Sequence, residues 1–152
     1  MRLKFSKMKK HLTINDFKIT AKFPVQWGEM DAANHVNNTI YMRWAESVRI
    51  QYFAKMGMDI SFQATGQAGP IVGWQDCKYI FPLTYPDTAI VGARTIEILD
   101  DRLVMECGIF SERHNRIAAI SKQTIIPYDY GELKKVGMPQ DWIKAINRIE
   151  KK

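Results

Sequence analysis

Val25-Gln-Trp27-Gly-Glu-Met-Asp31-Ala-Ala-Asn34-His35-Val-Asn37-Asn38-Thr-Ile40-Tyr41-Met-Arg-Trp44-Ala-Glu46-Ser-Val48-Arg-Ile-Gln-Tyr52-Phe53 decides how the rest of the chain is read. Ile40, Trp44, Val48 and Tyr52 recur every four residues, with Tyr41 and Ala45 beside them, which predicts an amphipathic helix over about Thr39 to Met56. Asn37 or Asn38 can cap its start through a side-chain oxygen, and Gly57 is suited to its C-terminal stop. One carboxylate, Asp31, stands in the polar loop just before this helix. That arrangement suits acyl chemistry: Asp31 can take a proton from water while the first helical N–H groups polarise a carbonyl oxygen. Such a site needs no metal.

Working outward, Phe17, Ile19, Ala21, Phe23 and Val25 alternate with mostly polar neighbours and predict a first strand over about Phe17 to Trp27. Beyond the helix and a loop from Ala64 to Pro70 come four strand-like runs, Ile71 to Phe81, Thr88 to Leu99, Leu103 to Ser111 and Arg116 to Tyr128. Asp100-Asp101-Arg102 and Glu112-Arg113-His114-Asn115 read as hairpin turns, so these strands are expected to pair antiparallel. After Met138, Trp142, Ile143, Ile146 and Ile149 mark one face of a C-terminal helix, with Pro139 preset for its first turn and Asp141 favourable there. One helix set between one strand and four antiparallel strands is an α+β pattern, in which a curved five-stranded sheet wraps the helix and buries both apolar faces. Edge strands then need protection, and pairing of protomers is one way to supply it.

The length of 152 residues and 46% hydrophobic content suit one compact domain. It is divided here into a basic N-terminal extension (1–16), the main domain (17–130) and a C-terminal helical extension (131–152). The net charge of +6 gathers partly at the ends, in Arg2, Lys4, Lys7, Lys9, Lys10, Lys151 and Lys152. A solvated tail explains this cluster; an acidic carrier protein or the phosphates of a nucleotide are the other anionic partners it would suit. No helix-turn-helix, zinc-finger spacing or aromatic RNA-binding motif points to nucleic acid. The N-terminus lacks the apolar run of a secretory signal, and no stretch reaches the length of a membrane span, so a soluble cytoplasmic protein is expected. Cys77 and Cys107, both in predicted strands, read as reduced thiols rather than as a disulfide or metal ligands.

Trp27-Gly-Glu-Met-Asp31, then His35-Val-Asn-Asn38, Tyr41 and Glu46, resemble the hotdog-fold thioesterases, and within them the 4-hydroxybenzoyl-CoA thioesterase-like acyl-CoA thioesterases. Tyr79-Ile-Phe-Pro82-Leu-Thr-Tyr-Pro-Asp87 is similar to the tyrosine, proline and aspartate that follow that family's second strand, and the likeness runs from about Lys18 to Tyr128. The resemblance implies a hotdog fold, a homodimer or homotetramer with sites between protomers, and hydrolysis of an acyl-CoA thioester to free acid and CoA without a cofactor. It implies that Asp31 is general base or nucleophile and that the backbone N–H of Asn38 faces the thioester carbonyl.

Each of these residues also has a plainer reading. Asp31 alone could be a turn or capping aspartate. Relatives that carry His or Tyr at the place of Asn38 lend no side-chain role to an asparagine there. His35 could orient Asp31, donate to the leaving thiolate or tie the loop to the backbone. Plant-type acyl-carrier-protein thioesterases share part of the pattern, but their functional Asn falls where this chain has Ala33, with Asn34 one place on. Trp27, Tyr41 and Trp44 suit the core and are candidates for acyl-pocket walls, as are Met56, Phe62 and the Ala64 to Pro70 loop. Glu46 is the rival carboxylate, with ion pairing to Arg43 or Arg49 on the helix as its plainer role. Arg102, Arg113 and Arg116 are candidate CoA phosphate contacts at hairpin ends. An acyl-carrier-protein thioesterase and a noncatalytic acyl-ligand binding module are the alternative functions.

Overall fold

The computed structural model describes residues 1–5, 11–58 and 67–151. Among them, the strands are β1 (Leu3–Lys4), β2 (Ile19–Pro24), β3 (Ala68–Tyr79), β4 (Thr88–Ile98), β5 (Leu103–Ser111), β6 (Arg116–Asp129) and β7 (Lys134–Lys135), and the helices are α1 (Asn38–Lys55) and α2 (Gln140–Glu150). The sheet is antiparallel, with β4, β5, β6 and β3 side by side, β1 and β2 both on the free side of β4, and β7 on the end of β6. Five long strands thus wrap α1 in the hotdog arrangement. Phe62 and residues 64–66, read above as acyl-pocket candidates, lie outside the described residues.

The core follows from two periodicities meeting. Along α1 the inward positions are Tyr41, Trp44, Ala45, Val48, Tyr52 and Phe53, and along the sheet they are Val91, Ala93, Met105, Cys107, Ile109 and Ala119. From α2, Trp142, Ile143, Ala145 and Ile146 join the same core. The outward set on β4 and β5 is sealed differently. Phe17 lies over Gly92 and Gly108, where added Cβ atoms would meet its ring at 2.3 Å and 2.8 Å. Beside it Arg94 donates to Glu106 at 2.7 Å and 3.1 Å, with its guanidinium 5.2 Å from the centre of the Phe17 ring.

Several expectations shift. The first strand ends at Pro24 rather than Trp27, because residues 27–29 form a 3-10 turn closed by the Gln26 N–H to the Glu29 carboxylate at 2.8 Å. Strand β3 begins at Ala68, ahead of the expected Ile71, with Pro70 opposite Pro127; an edge strand tolerates a residue without an N–H. Residues 1–5 do not form a solvated tail: Leu3 and Lys4 pair with Ile98 and Glu97, and Arg2 forms an ion pair with Glu97. Pro139 sits at the N-cap, one place before the first turn. Arg49, polar by type, is buried, with Nη1 lacking a partner among the described residues.

A bulge between Thr95 and Glu97 frees a backbone N–H in β4, and α2 supplies its acceptor. One Glu150 oxygen accepts from the Thr95 N–H at 2.8 Å and from the Tyr52 hydroxyl at 2.7 Å. Burial pushes the Glu150 carboxyl up, opposed by these two hydrogen bonds. The folded state therefore binds a proton at Glu150 more tightly than the unfolded chain. Its stability contribution falls as pH rises from the ordinary glutamate value, about 4.3, through the raised one. Glu150→Gln keeps an oxygen acceptor without a buried charge and should hold or raise Tm at pH 7 while flattening the fall in stability as pH rises above the ordinary glutamate value. Glu150→Ala leaves both donors unsatisfied and should cost about 2–4 kcal/mol in urea denaturation.

Candidate active site

The loop before α1 is folded by its own polar residues. The Met30–Val36 bridge closes it, and inside it the Asp31 N–H donates to the His35 carbonyl at 2.9 Å while the Asp31 carbonyl accepts from the Asn34 N–H at 2.9 Å. Asn34 takes the left-handed conformation, φ 60°, that Asn tolerates better than most residues. The turn role considered for Asp31 is present: its Oδ1 accepts from the Ala33 N–H at 2.9 Å. Its Oδ2 has no hydrogen-bond partner among the described residues.

At the helix entry Asn37, rather than Asn38, is the cap, with Oδ1 accepting from the Thr39 N–H at 3.0 Å. The Asn37 carbonyl accepts from the Ile40 N–H at 3.0 Å. Of the first three helical N–H groups, only that of Asn38 is left without a partner among the described residues. The helix start carries the positive end of the macrodipole, so this N–H is a ready donor to a developing negative charge.

Asp31, His35, Val36, Asn38 and Tyr41 line one open depression of about 290 Å³ with Tyr79, Ile80, Phe81 and Pro82. The loop and the segment after β3 are joined by the Val36 N–H to the Leu83 carbonyl and by the Leu83 N–H to the Tyr41 hydroxyl, both at 2.9 Å. No hydrogen bond joins the His35 ring to Asp31 among the described residues. Tyr79, Ile80 and Phe81 carried no assigned role in the sequence; the Tyr79 to Asp87 motif was the signal that could have placed them here.

The other candidates divide. Trp44 is buried, stacked on Phe23 with 6.3 Å between ring centres and tilted against Tyr41 at 5.7 Å, and belongs to the core rather than to the depression. Trp27 is 73% exposed, away from both core and depression, because the turn that ends β2 carries it outward. Glu46 is exposed, with Arg49 at 3.9 Å. Arg116 stacks 4.4 Å over the Phe81 ring at the rim, and Arg113 donates to the Pro86 carbonyl at 3.3 Å. Arg102 stands at the other end of β5, roughly 30 Å away at strand rise, where its guanidinium Nε and Nη2 donate to the two Asp101 oxygens at 2.8 Å and 2.6 Å. The structure therefore does not bring the three arginines together. Among the described residues no three His, Cys, Asp or Glu side chains gather as a metal group.

With this geometry in place, comparison with known proteins is decisive: the model of the thioesterase-like superfamily matches residues 25–146. The chain belongs to that superfamily. It is a thioester hydrolase of the hotdog fold. Among curated proteins none matches the sequence significantly. Among solved structures, a thioesterase from Thermus thermophilus complexed with coenzyme A and Zn is similar, with TM-score 0.77, 21% identity, and 90% of this chain and 98% of that one covered. A DHNA-CoA thioesterase from Staphylococcus aureus has TM-score 0.75 at 18% identity, with 88% and 91% covered. A Pseudomonas aeruginosa protein has TM-score 0.77 at 20% identity, with 92% and 96% covered.

The aspartate that closes the Tyr79 to Asp87 motif acts on the frame of this site. Its carboxylate accepts from the Ser111 hydroxyl at 2.5 Å and from the N–H groups of Thr88 and Arg113 at 2.7 Å and 3.0 Å. Asp87→Ala should thus lower unfolding free energy by about 2–4 kcal/mol in urea titration. Asp87→Asn, which keeps one acceptor oxygen, should lose less.

Proposed function

We propose that the chain hydrolyses acyl-CoA thioesters, with Asp31 as general base or nucleophile and the Asn38 N–H as the donor to the carbonyl oxygen. The observation that carries this reading is the shared depression: it is lined both by a carboxylate with one oxygen, and by a helix-start residue with an N–H, that have no partner among the described residues. In the general-base route, Asp31 takes a proton from water, the oxygen adds to the carbonyl carbon, and the charge on the carbonyl oxygen falls on the Asn38 N–H. Collapse breaks the C–S bond and the proton passes to the leaving thiolate. In the nucleophilic route, Asp31 Oδ2 attacks the carbonyl carbon, CoA thiolate leaves, and water opens the mixed anhydride. His35, on the same wall, is a candidate proton donor to the thiolate. The CoA thioesterases among the structural neighbours favour CoA as the leaving group, and Arg116 and Arg113 at the rim are the nearest of the expected arginines to receive its phosphates.

The active unit is a homodimer or a larger homo-oligomer. Strand β3 is a twelve-residue sheet edge, with Trp74 56% exposed, Val72 and Tyr79 also exposed along it and Ile80 exposed just past its end. An apolar edge of this kind is a template for pairing with a second copy. Tyr79 and Ile80 also line the depression, so pairing there would narrow the site.

Asp31→Asn keeps shape and should reduce kcat by about 10² to 10⁴ with the fold retained, read as free-thiol release over aryl and aliphatic acyl-CoA thioesters. Glu46→Gln should change kcat by less than about threefold. A folded Asp31→Asn protein of near wild-type turnover, beside an inactive Glu46→Gln protein, would transfer the role to the helical acid. Faster release from acyl carrier protein than from CoA would make the carrier protein the substrate.

Sedimentation at micromolar concentration should show a dimer or larger species. Trp74→Lys should shift it toward monomer with reduced turnover. A fully active monomer in the same range would remove the shared-site reading.

A further inference from the structure

The donor assigned to the thioester oxygen lies in the first turn of a helix, where hydrogen bonding is incomplete and ends fray. An oxyanion donor is effective only if its direction is set before the charge appears. Asn37 holds one side of this turn through Thr39. The other side is held from the sheet: the Tyr79 hydroxyl, at the end of β3, donates to the Asn38 carbonyl at 2.9 Å. The Tyr79 ring meets the Tyr41 ring edge-on, 5.2 Å between centres at 84°. Tyr41 accepts in turn from the Leu83 N–H, and Leu83 accepts from Val36 in the Asp31 loop. Residue 38 is therefore tied at its carbonyl to β3, and through a closed circuit to the loop that carries the carboxylate.

We propose that Tyr79 is a positioning residue of the hydrolysis, which directs the Asn38 N–H at the thioester oxygen by holding the Asn38 carbonyl. The inference rests on the reading of Asn38 as that donor. Burial first, and the neighbouring Cys77 second, push the Tyr79 phenol up to about 12, so it remains a donor across the working pH range of a carboxylate base. In this role Tyr79 acts through the Asn38 carbonyl and not on the reacting atoms. Its loss should therefore weaken carbonyl polarisation without altering the pH profile that Asp31 sets.

Tyr79→Phe keeps the ring against Tyr41 and deletes only the hydroxyl. It should lower kcat about 3- to 30-fold, with KM within about twofold and the pH profile unchanged. Tyr85→Phe, another exposed tyrosine outside the depression, should leave both constants as they are. Melting and sedimentation confirm that the fold is kept. The distinguishing readout is the infrared carbonyl band of benzoyl-CoA labelled with carbon-13 at the carbonyl, bound to Asp31→Asn protein, in which hydrolysis is stalled. The band should move to lower wavenumber on binding and return most of the way in the Asp31→Asn/Tyr79→Phe protein. A band shift that persists in the double variant, or a raised KM with unchanged kcat in Tyr79→Phe, overturns the positioning role and leaves the Asn38 reading standing. No shift in Asp31→Asn alone overturns the Asn38 reading, and this inference with it.

Discussion

Enclosure of one helix by one sheet is the constraint on which the other features depend. Helix α1 presents Tyr41, Trp44, Ala45, Val48 and Tyr52 inward, and no flat sheet could cover so broad a stripe. Curvature delivers β2 and β4 to one flank of the helix and β6 and β3 toward the other. It also fixes which end of α1 meets the segment after β3. The N-terminal turn is placed against residues 79–83, so the helix dipole, the Asp31 loop and the depression coincide as a result of core packing.

Polar groups inside that packing are treated unequally. The β4 bulge and the Tyr52 hydroxyl share one Glu150 oxygen, and Asp87 gathers three donors where β4 begins. These carboxylates are committed to the frame and have little freedom for chemistry. Asp31 differs from Asp87, whose two oxygens are both taken, in having an oxygen without a partner among the described residues while the other shapes its turn, and from Glu150 in lining the depression. The contrast separates a reactive carboxylate from supporting ones more clearly than residue type or exposure does, since Glu46 is also exposed, at 67% of its side chain, yet stands outside the depression.

Much of the fold was legible because the alternation from Phe17 to Val25 and the four-residue recurrence in α1 are strong local signals, and one hairpin turn carries Asp100 and Asp101 and the other Asn115, residue types that turns favour. Strand β1 was not legible: two residues have no period, and they pair with Ile98 and Glu97 far along the chain. Burial of Arg49 contradicts residue type, so only tertiary placement reveals it. Trp27 was misread because its aromatic ring suggested the core, while the turn that ends β2 turns it outward. In the site, the neighbourhood of Asp31 and Asn38 was visible as a motif, whereas the Tyr79 bond to Asn38 joins residues 41 apart and leaves no local trace. The separation of Arg102 from Arg113 and Arg116 could have been inferred, since successive turns of an antiparallel meander lie at opposite ends of the sheet.

The seat of Phe17 has an evolutionary corollary. Its ring occupies the volume where side chains at 92 and 108 would begin, on two adjacent strands. Neither glycine can acquire a methyl group while the ring stays; a smaller residue at 17 opens a void that position 92 could fill, whereas a side chain at 108 would also meet the Phe110 ring at 2.7 Å and needs that ring to shift as well. Mutational tolerance at 17, 92 and 108 is thus epistatic: a change deleterious on the present background becomes admissible after another of the three has changed. Among homologous chains these positions should drift as a correlated set, with the Arg94–Glu106 pair beneath them retained only where an aromatic lid persists.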